Sequence, residues 1–199
     1  MDPDVVVGNV FDKYGTKHPL YRALVNGYFR TLDDLLSPVH AERVLEVGCG
    51  EGYVANWLEG RLKPKLSAAL DLSPAMMRSA VARYQAVKFL TASAYRLPFP
   101  RLSFDMVFCM ELLEHLASPH AALADIRRVA RRWVLFSVPR EPIWRVLNLA
   151  RGSYWSSLGN TPGHLQHWTR AGFLRFLRQE FNVLRIRSPF PWTIALCSV

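Results

Sequence analysis

The chain has 199 residues, half of them hydrophobic, and a formal net charge of +9. This excludes a disordered or fibrous chain and fits one globular domain over 1–199, which at this length buries about 70% of the surface its unfolded form exposes. The charge is uneven: residues 1–119 balance 13 Lys/Arg against 13 Asp/Glu, whereas residues 120–199 set 12 arginines against Asp125, Glu141 and Glu180.

Arginine pairs bidentately with phosphate and carboxylate groups. The last 80 residues therefore read as a grip on an anionic substrate, a nucleic acid or an anionic membrane surface, or simply as a solvated face. The acidic start, Met1-Asp2-Pro3-Asp4, opens no apolar leader, and no apolar run is long enough to span a bilayer. Cys49, Cys109 and Cys197 have neither metal-ligand nor disulfide spacing. A cytoplasmic, reducing setting is expected, with Cys109 and Cys197 as small core residues.

Residues 1–38 divide into a polar, turn-rich arm up to residue 18 and a helix over Leu20–Leu36. Apolar residues recur there at helical spacing until Ser37-Pro38 stops them. A strand at about 43–47 enters a turn with glycines at 48, 50 and 52, and a helix follows over 52–60. The second strand, 66–70, leads to a helix capped by Ser73 with Pro74 at its first position. Strands follow at 87–90 and 104–110, then a helix over 119–131 and a strand over 133–138 that ends at Pro139. Residues 140–168 form an irregular insertion, or lid, with a short amphipathic helix at 143–149. A helix over 171–180 and a closing strand pair, 181–186 and 192–197, complete the chain. Strands alternating with helices imply an α/β fold: a doubly wound, mostly parallel sheet, with the final pair short enough for an antiparallel connection.

The run Arg43-Val44-Leu45-Glu46-Val47-Gly48-Cys49-Gly50-Glu51-Gly52 marks the binding site. Strand, glycine turn and helix are the grammar of nucleotide-binding α/β folds, with helix N–H groups free to donate. The G-x-G-x-G spacing departs from the dinucleotide fingerprint. Carboxylates at Glu46 and Glu51 repel a diphosphate but suit a ligand bearing an ammonium and a sulfonium, as S-adenosylmethionine does. Asp71, at the tip of the second strand, is placed to accept from ribose hydroxyls.

With these motifs the chain resembles the class I, Rossmann-like S-adenosylmethionine-dependent methyltransferases, and within them the type 11 group. The likeness extends to Asp71-Leu72-Ser73-Pro74-Ala75-Met76-Met77, to Ala92-Ser93-Ala94-Tyr95-Arg96-Leu97-Pro98-Phe99, and to Phe104–Glu111 running into Leu113-Glu114-His115-Leu116. It implies a seven-stranded sheet in the order 3-2-1-4-5-7-6 with the last strand antiparallel, S-adenosylmethionine as cofactor and S-adenosylhomocysteine as product. Glu46, Gly48, Cys49 and Gly50 would then hold the methionine end, and Leu72 and Met76 would cover the adenine. Ser93, where the family most often has aspartate, would accept from the adenine amino group, and the Ala94 N–H would meet a ring nitrogen. Met110 and Glu111 would border the methyl.

The acceptor site should come from the arm and the insertion. His164 and His167 are the candidate bases, since imidazole titrates near neutrality; the competing reading has His167-Trp168-Thr169 capping and packing the next helix. No metal is expected, because the two histidines have no third ligand nearby in sequence. His115 reads as a residue that orders its loop. Tyr14, Lys17 and His18 either close over the cofactor, Lys17 meeting its carboxylate, or face solvent. Acceptors compatible with this pattern are small or lipid-like molecules methylated at oxygen, with RNA the lesser candidate and a non-catalytic cofactor-binding protein a further one. The Ile143–Leu149 segment, between arginines, could lie at a lipid interface.

Overall fold

The computed structural model describes residues 19–199. The expectations for Tyr14, Lys17 and His18 fall outside that range. Helix α1 (Pro19–Leu36) packs its buried Tyr28, Leu32, Leu35 and Leu36 on one face of the sheet. Then come β1 (Arg43–Val47), α2 (Tyr53–Leu62), β2 (Leu66–Asp71), α3 (Pro74–Arg83), β3 (Lys88–Thr91) and β4 (Phe104–Met110). A single 3-10 turn, Leu113–His115, leads to α4 (Pro119–Val129) and β5 (Ala130–Pro139). The insertion holds α5 (Ile143–Ala150) and a second 3-10 turn, Trp155–Ser157; α6 (Arg170–Leu177), β6 (Asn182–Arg187) and β7 (Trp192–Ser198) close the chain.

Seven strands form one sheet in the order β3-β2-β1-β4-β5-β7-β6. Strands β1 to β5 pair in parallel, and β7 runs antiparallel to both β5 and β6. The central strands bury both faces, which is why they read as unbroken apolar runs. One face packs against α4 and α6 through Leu123, Ile126, Phe173 and Leu177. The other takes α1 and α2 through Leu32, Leu35, Val54 and Leu58. Cys109 and Cys197 are fully buried in strands, as small apolar residues.

Local signals set the helix ends. Ser73 Oγ accepts from the Met76 N–H at 3.4 Å with Pro74 following, and Thr169 Oγ accepts from the Gly172 N–H at 3.1 Å. Trp168 packs on Phe173 and Phe176. The capping role expected for this stretch is therefore present. Strand β5 begins three residues before the expected start. Arg131 and Arg132 are exposed on it, and their polarity masked a backbone that is already paired. Among the described residues no helix is long and apolar enough to cross a membrane.

The arginine-rich third is largely engaged with the protein itself. Arg128 bonds Asp125 and the carbonyls of Leu97 and Phe99, and Arg127 bonds the Glu180 carbonyl. Arg131 pairs with Asp105, Arg187 with Asp34, and Arg132 lies over the Trp133 ring.

Candidate active site

The parallel strands β1, β2 and β4 deliver their C-terminal ends to one edge, where open α/β sheets bind ligands. Gly48 leaves β1 with φ +77, and a Cβ there would stand 2.8 Å from Leu112 Cδ1. The turn thus needs glycine both for its backbone conformation and to let the segment after β4 lie against it. The loop's first N–H groups are engaged within the protein. Those of Gly48 and Cys49 donate to the Leu70 carbonyl at 2.8 and 3.0 Å, and that of Gly50 to Asp71 Oδ2 at 3.0 Å. Asp71 Oδ1 accepts from the Ser73 N–H at 2.9 Å. One carboxylate therefore staples the glycine loop to the start of α3, and each of its oxygens keeps a lone pair for a ribose hydroxyl.

Glu46 lies beneath this loop, only 3% exposed. Its Oε2 has no hydrogen-bond partner among the described residues. Burial above all pushes its pKa up to about 8; the Asp71 charge adds to the rise, and a hydrogen bond from the Ala55 backbone opposes it. Glu51 pairs with Arg83 at 2.9 Å. Repulsion of a diphosphate by these two acids, as read from sequence, is therefore weak in the structure: one is protonated at neutral pH and the other is paired. What remains is more selective, a buried oxygen that an ammonium would satisfy. Cys49 is buried beside it, its thiol pushed up by burial and by the charges of Glu46 and Asp71, so it is no nucleophile.

Above Gly50 there is open space where a side chain would stand. Leu72 is exposed and Met76 half-buried at the start of α3; Ser93 Oγ accepts from the Tyr95 N–H at 3.2 Å, and Ala94 follows it, half-buried. An open groove between α3 and β3, lined by Met77, Val81 and Phe89, lies on the flank of the sheet and not over the glycine loop.

At the end of β4, Met110 is buried and Glu111 adopts φ +54. A left-handed conformation in a glutamate costs on the order of 1 kcal/mol or more and persists only where neighbours hold it. Here the Glu111 N–H donates to the Ser137 carbonyl at 3.1 Å, Oε1 accepts from Ser137 Oγ at 2.9 Å and Oε2 from Trp192 Nε1 at 2.7 Å. Tyr28 Oη lies 2.8 Å from Ser137 Oγ. Sequence reasoning missed Ser137, Trp192 and Tyr28. A lone serine inside the apolar run of β5 was the one signal available.

The insertion is a closed loop. Its ends meet where the Glu141 N–H donates to the Trp168 carbonyl at 2.9 Å. Inside, buried Asn148 donates to the Gly159 carbonyl at 2.7 Å and to Thr161 Oγ at 3.0 Å, and Trp144 Nε1 also reaches Thr161 Oγ at 2.9 Å. The loop docks on the 3-10 turn after β4: Leu165 and Gln166 N–H groups donate to the Glu114 carbonyl at 2.7 and 3.0 Å, and Gln166 Nε2 to the Leu116 carbonyl at 3.1 Å. His115 Nδ1 lies 3.0 Å from the Gly163 carbonyl, consistent with a loop-ordering role.

This docking separates the two candidate bases. His164, 8% exposed, turns inward, its ring edge-on to His115 at 5.0 Å and stacked near Trp144. His167 is exposed, 2.7 Å from Asn160 Oδ1, its pKa lowered by partial burial and then by Arg145, with Glu141 opposing. Glu114, His115 and His164 bring ligand-capable atoms within 4.8 Å of one another. The expectation of no metal considered only the local pair of histidines. The structure supplies the companions of His164 from about 50 residues away and leaves His167 out.

Residues 45–136 match the family model described as a methyltransferase domain. That segment is therefore similar to a methyltransferase domain, and the seven-stranded sheet has the Rossmann-like methyltransferase fold. The match implies S-adenosylmethionine as cofactor, and the residues present fit it: the buried Glu46 oxygen could take the ammonium and Asp71 the ribose. The phthiotriol/phenolphthiotriol dimycocerosates methyltransferase of Mycobacterium leprae is 35% identical over 112 residues, 55% of this chain and 41% of that protein. The malonyl-[acyl-carrier protein] O-methyltransferase of Marinomonas sp. is 28% identical over 180 residues, 87% of this chain and 65% of that protein. The chain thus spans less than two thirds of these curated relatives. In fold it is similar to the PH0226 protein of Pyrococcus horikoshii, with TM-score 0.73, 16% identity and 95% and 96% of the two chains covered. The magnesium protoporphyrin IX methyltransferase of Synechocystis, solved with bound S-adenosylhomocysteine, gives TM-score 0.66 at 18% identity, covering 92% and 89%.

Replacing Asp71 with alanine is expected to weaken S-adenosylhomocysteine binding by about 10–100-fold in calorimetric titration. The change removes charge-assisted hydrogen bonds, worth about 1.5–3 kcal/mol each, both from the ligand and from the loop that cradles it. Unchanged affinity would remove Asp71 from the site.

Proposed function

We propose that this chain transfers the methyl group of S-adenosylmethionine to an oxygen of a small-molecule or lipid-like acceptor. The observation that carries the reading is the docked insertion, which sets the buried imidazole of His164 beside His115 and Glu114 at the carboxyl end of β4. A neutral thioether needs no such polar cluster, whereas a hydroxyl must lose its proton as it is methylated. The relatives named as O-methyltransferases support the same class of acceptor.

When bound, the cofactor supplies a methyl on a positive sulfur, displaced in line by the acceptor oxygen. The protein's part is alignment, which can lower the barrier by about 7–11 kcal/mol. Glu46 receives the ammonium, Asp71 the ribose hydroxyls, and Leu72 and Met76 flank the adenine near Ser93 and Ala94. Glu111, fixed by Ser137 and Trp192, borders the reaction centre with Met110. Of the two histidines proposed from sequence, this reading uses His164. His167, on the outer face, has no assigned step in it.

The lipid-like half of the reading rests on the insertion's outer surface. Trp155 and Leu158 are 67% and 73% exposed, with Val146 and Leu165 also bared and Arg145 and Arg151 close by in sequence. Apolar side chains among arginines suit the boundary of an anionic bilayer. The engagement of most C-terminal arginines with acids, carbonyls and rings counts against an RNA-holding face. Co-sedimentation with anionic vesicles is expected for the wild type and reduced several-fold in Trp155→Ser/Leu158→Ser; equal binding would restrict the acceptors to soluble ones. The acceptor class itself is tested with labelled S-adenosylmethionine on matched alcohols and amines. Label found only in amines would overturn oxygen as the target.

A further inference from the structure

We infer that Glu114, His115 and His164 form a binding site for one divalent transition-metal ion. Only the ion's assigned role rests on the methyltransferase reading; its binding does not.

The donor set is two imidazoles and one carboxylate, the mixture that suits zinc and its first-row neighbours and that, at three protein ligands, leaves positions open. Their ligand atoms already stand within 4.8 Å of one another. Bonds of about 2.0–2.2 Å put neighbouring ligand atoms roughly 3–4 Å apart, so side-chain rotations close the site without moving backbone.

Backbone geometry fixes this proximity. The Glu114 carbonyl accepts the N–H groups of both Leu165 and Gln166, so the segment carrying His164 is clamped to the residue that supplies the carboxylate. The same docking sets the tautomer of His115. Its Nδ1 lies 3.0 Å from the Gly163 carbonyl oxygen, which can only accept, so Nδ1 carries the hydrogen. Nε2 of the neutral ring then keeps its lone pair. A histidine that donates from one nitrogen to a carbonyl and presents the other is the arrangement found behind metal ligands.

Burial adds to the argument. Glu114 is 2% and His164 8% exposed, and a buried acid among imidazoles is stabilised by a cation between them. The site lies one turn beyond Glu111, where the open positions of an ion would take an acceptor oxygen and lower its pKa. In that role His164 is a ligand and not itself the base.

The test is metal uptake by the chelator-stripped full chain, followed through the visible absorption of Co²⁺ and by competition with Zn²⁺. One Co²⁺ per chain, displaced by Zn²⁺, is expected. His164→Ala and Glu114→Gln should each weaken uptake by at least about 100-fold, since even outer partners of a metal site change affinity by 10–100-fold. His120→Ala should bind like the wild type, because that ring pairs with Gln179 on a different surface. Thermal melting and S-adenosylhomocysteine titration run in parallel. Should His164→Ala unfold, His164→Gln repeats the comparison. No uptake by the wild type, or equal uptake by folded His164 and Glu114 variants, overturns the site. A wild type that binds Co²⁺ but not S-adenosylhomocysteine would instead refute the methyltransferase reading and leave the ion site standing.

Discussion

Binding of S-adenosylhomocysteine at pH 7 is expected to expel close to one proton from the protein. Glu46 is the source. Its carboxyl is enclosed at the end of β1 and titrates at about 8, chiefly because burial penalises the charged form. At pH 7 the free protein therefore holds it neutral about nine times in ten. The ligand's ammonium, brought to the orphaned Oε2, favours the carboxylate and drives its pKa below 7. Calorimetry in buffers of different ionisation enthalpy reads the proton count directly. Affinity should rise with pH from 6 to 8 and then level off. Glu46→Gln should show no proton release and bind at least about 100-fold more weakly, in line with about 3–5 kcal/mol for breaking a buried charge pair. Buffer-independent binding enthalpy in the wild type would overturn this assignment.

The same residue sets a stability signature in the ligand-free protein. Its folded pKa lies above the ordinary 4.5, so its contribution is fully present below about pH 4.5 and is lost as pH rises toward 8. At about 1.4 kcal/mol per pKa unit the loss reaches at most about 5 kcal/mol. The domain thus gives up stability at neutral pH for an oxygen left without a partner among the described residues, and part of that cost should vanish in Glu46→Gln.

Legibility from the sequence followed range. Gly48, Asp71 and Ser73 act through neighbours within a turn or on the adjacent strand, so pattern and spacing exposed them. The strands of the central sheet were equally plain, because burial on both faces leaves unbroken apolar runs such as Phe104–Met110. The protonation of Glu46 was hidden, since a sequence displays a carboxylate and not its enclosure. Hidden too was the meeting of His164 with Glu114, which depends on the insertion folding back over the turn after β4. Ser137 reaches Glu111 from β5, where it pairs with Met110 of β4, and Trp192 reaches it because β7 lies beside β5 and carries it alongside Pro139. Local motifs thus mark the candidate cofactor end of the sheet, while the proposed acceptor side is built from long-range contacts that no motif records.

Those contacts converge on Gly159, whose replacement by alanine should detach the insertion while sparing the cofactor site. An added Cβ would stand 2.4 Å from the Arg145 carbonyl oxygen and 3.0 Å from Leu149 Cγ, at φ +76. The obstructing atom is helix backbone, which cannot swing aside as a side chain can. Left-handed strain of about 1–3 kcal/mol adds to about 1–3 kcal/mol of overpacking. The segment must then lift from α5, taking the Gly159 carbonyl from Asn148 and carrying Thr161 and His164 with it. Gly152 supplies the control, since it shares φ +76 but has nothing within 4 Å of its own Cβ position. Gly152→Ala incurs the strain alone, so the difference between the two variants isolates the collision. Hydrogen exchange across 153–166 should accelerate at least tenfold more in Gly159→Ala than in Gly152→Ala. S-adenosylhomocysteine affinity should stay within about threefold of wild type in both, because the glycine loop and Asp71 rest on β1 and β2. Equal exchange in the two variants would mean that the insertion is not seated through Gly159, and the placement of His164 beside Glu114 would lose its support.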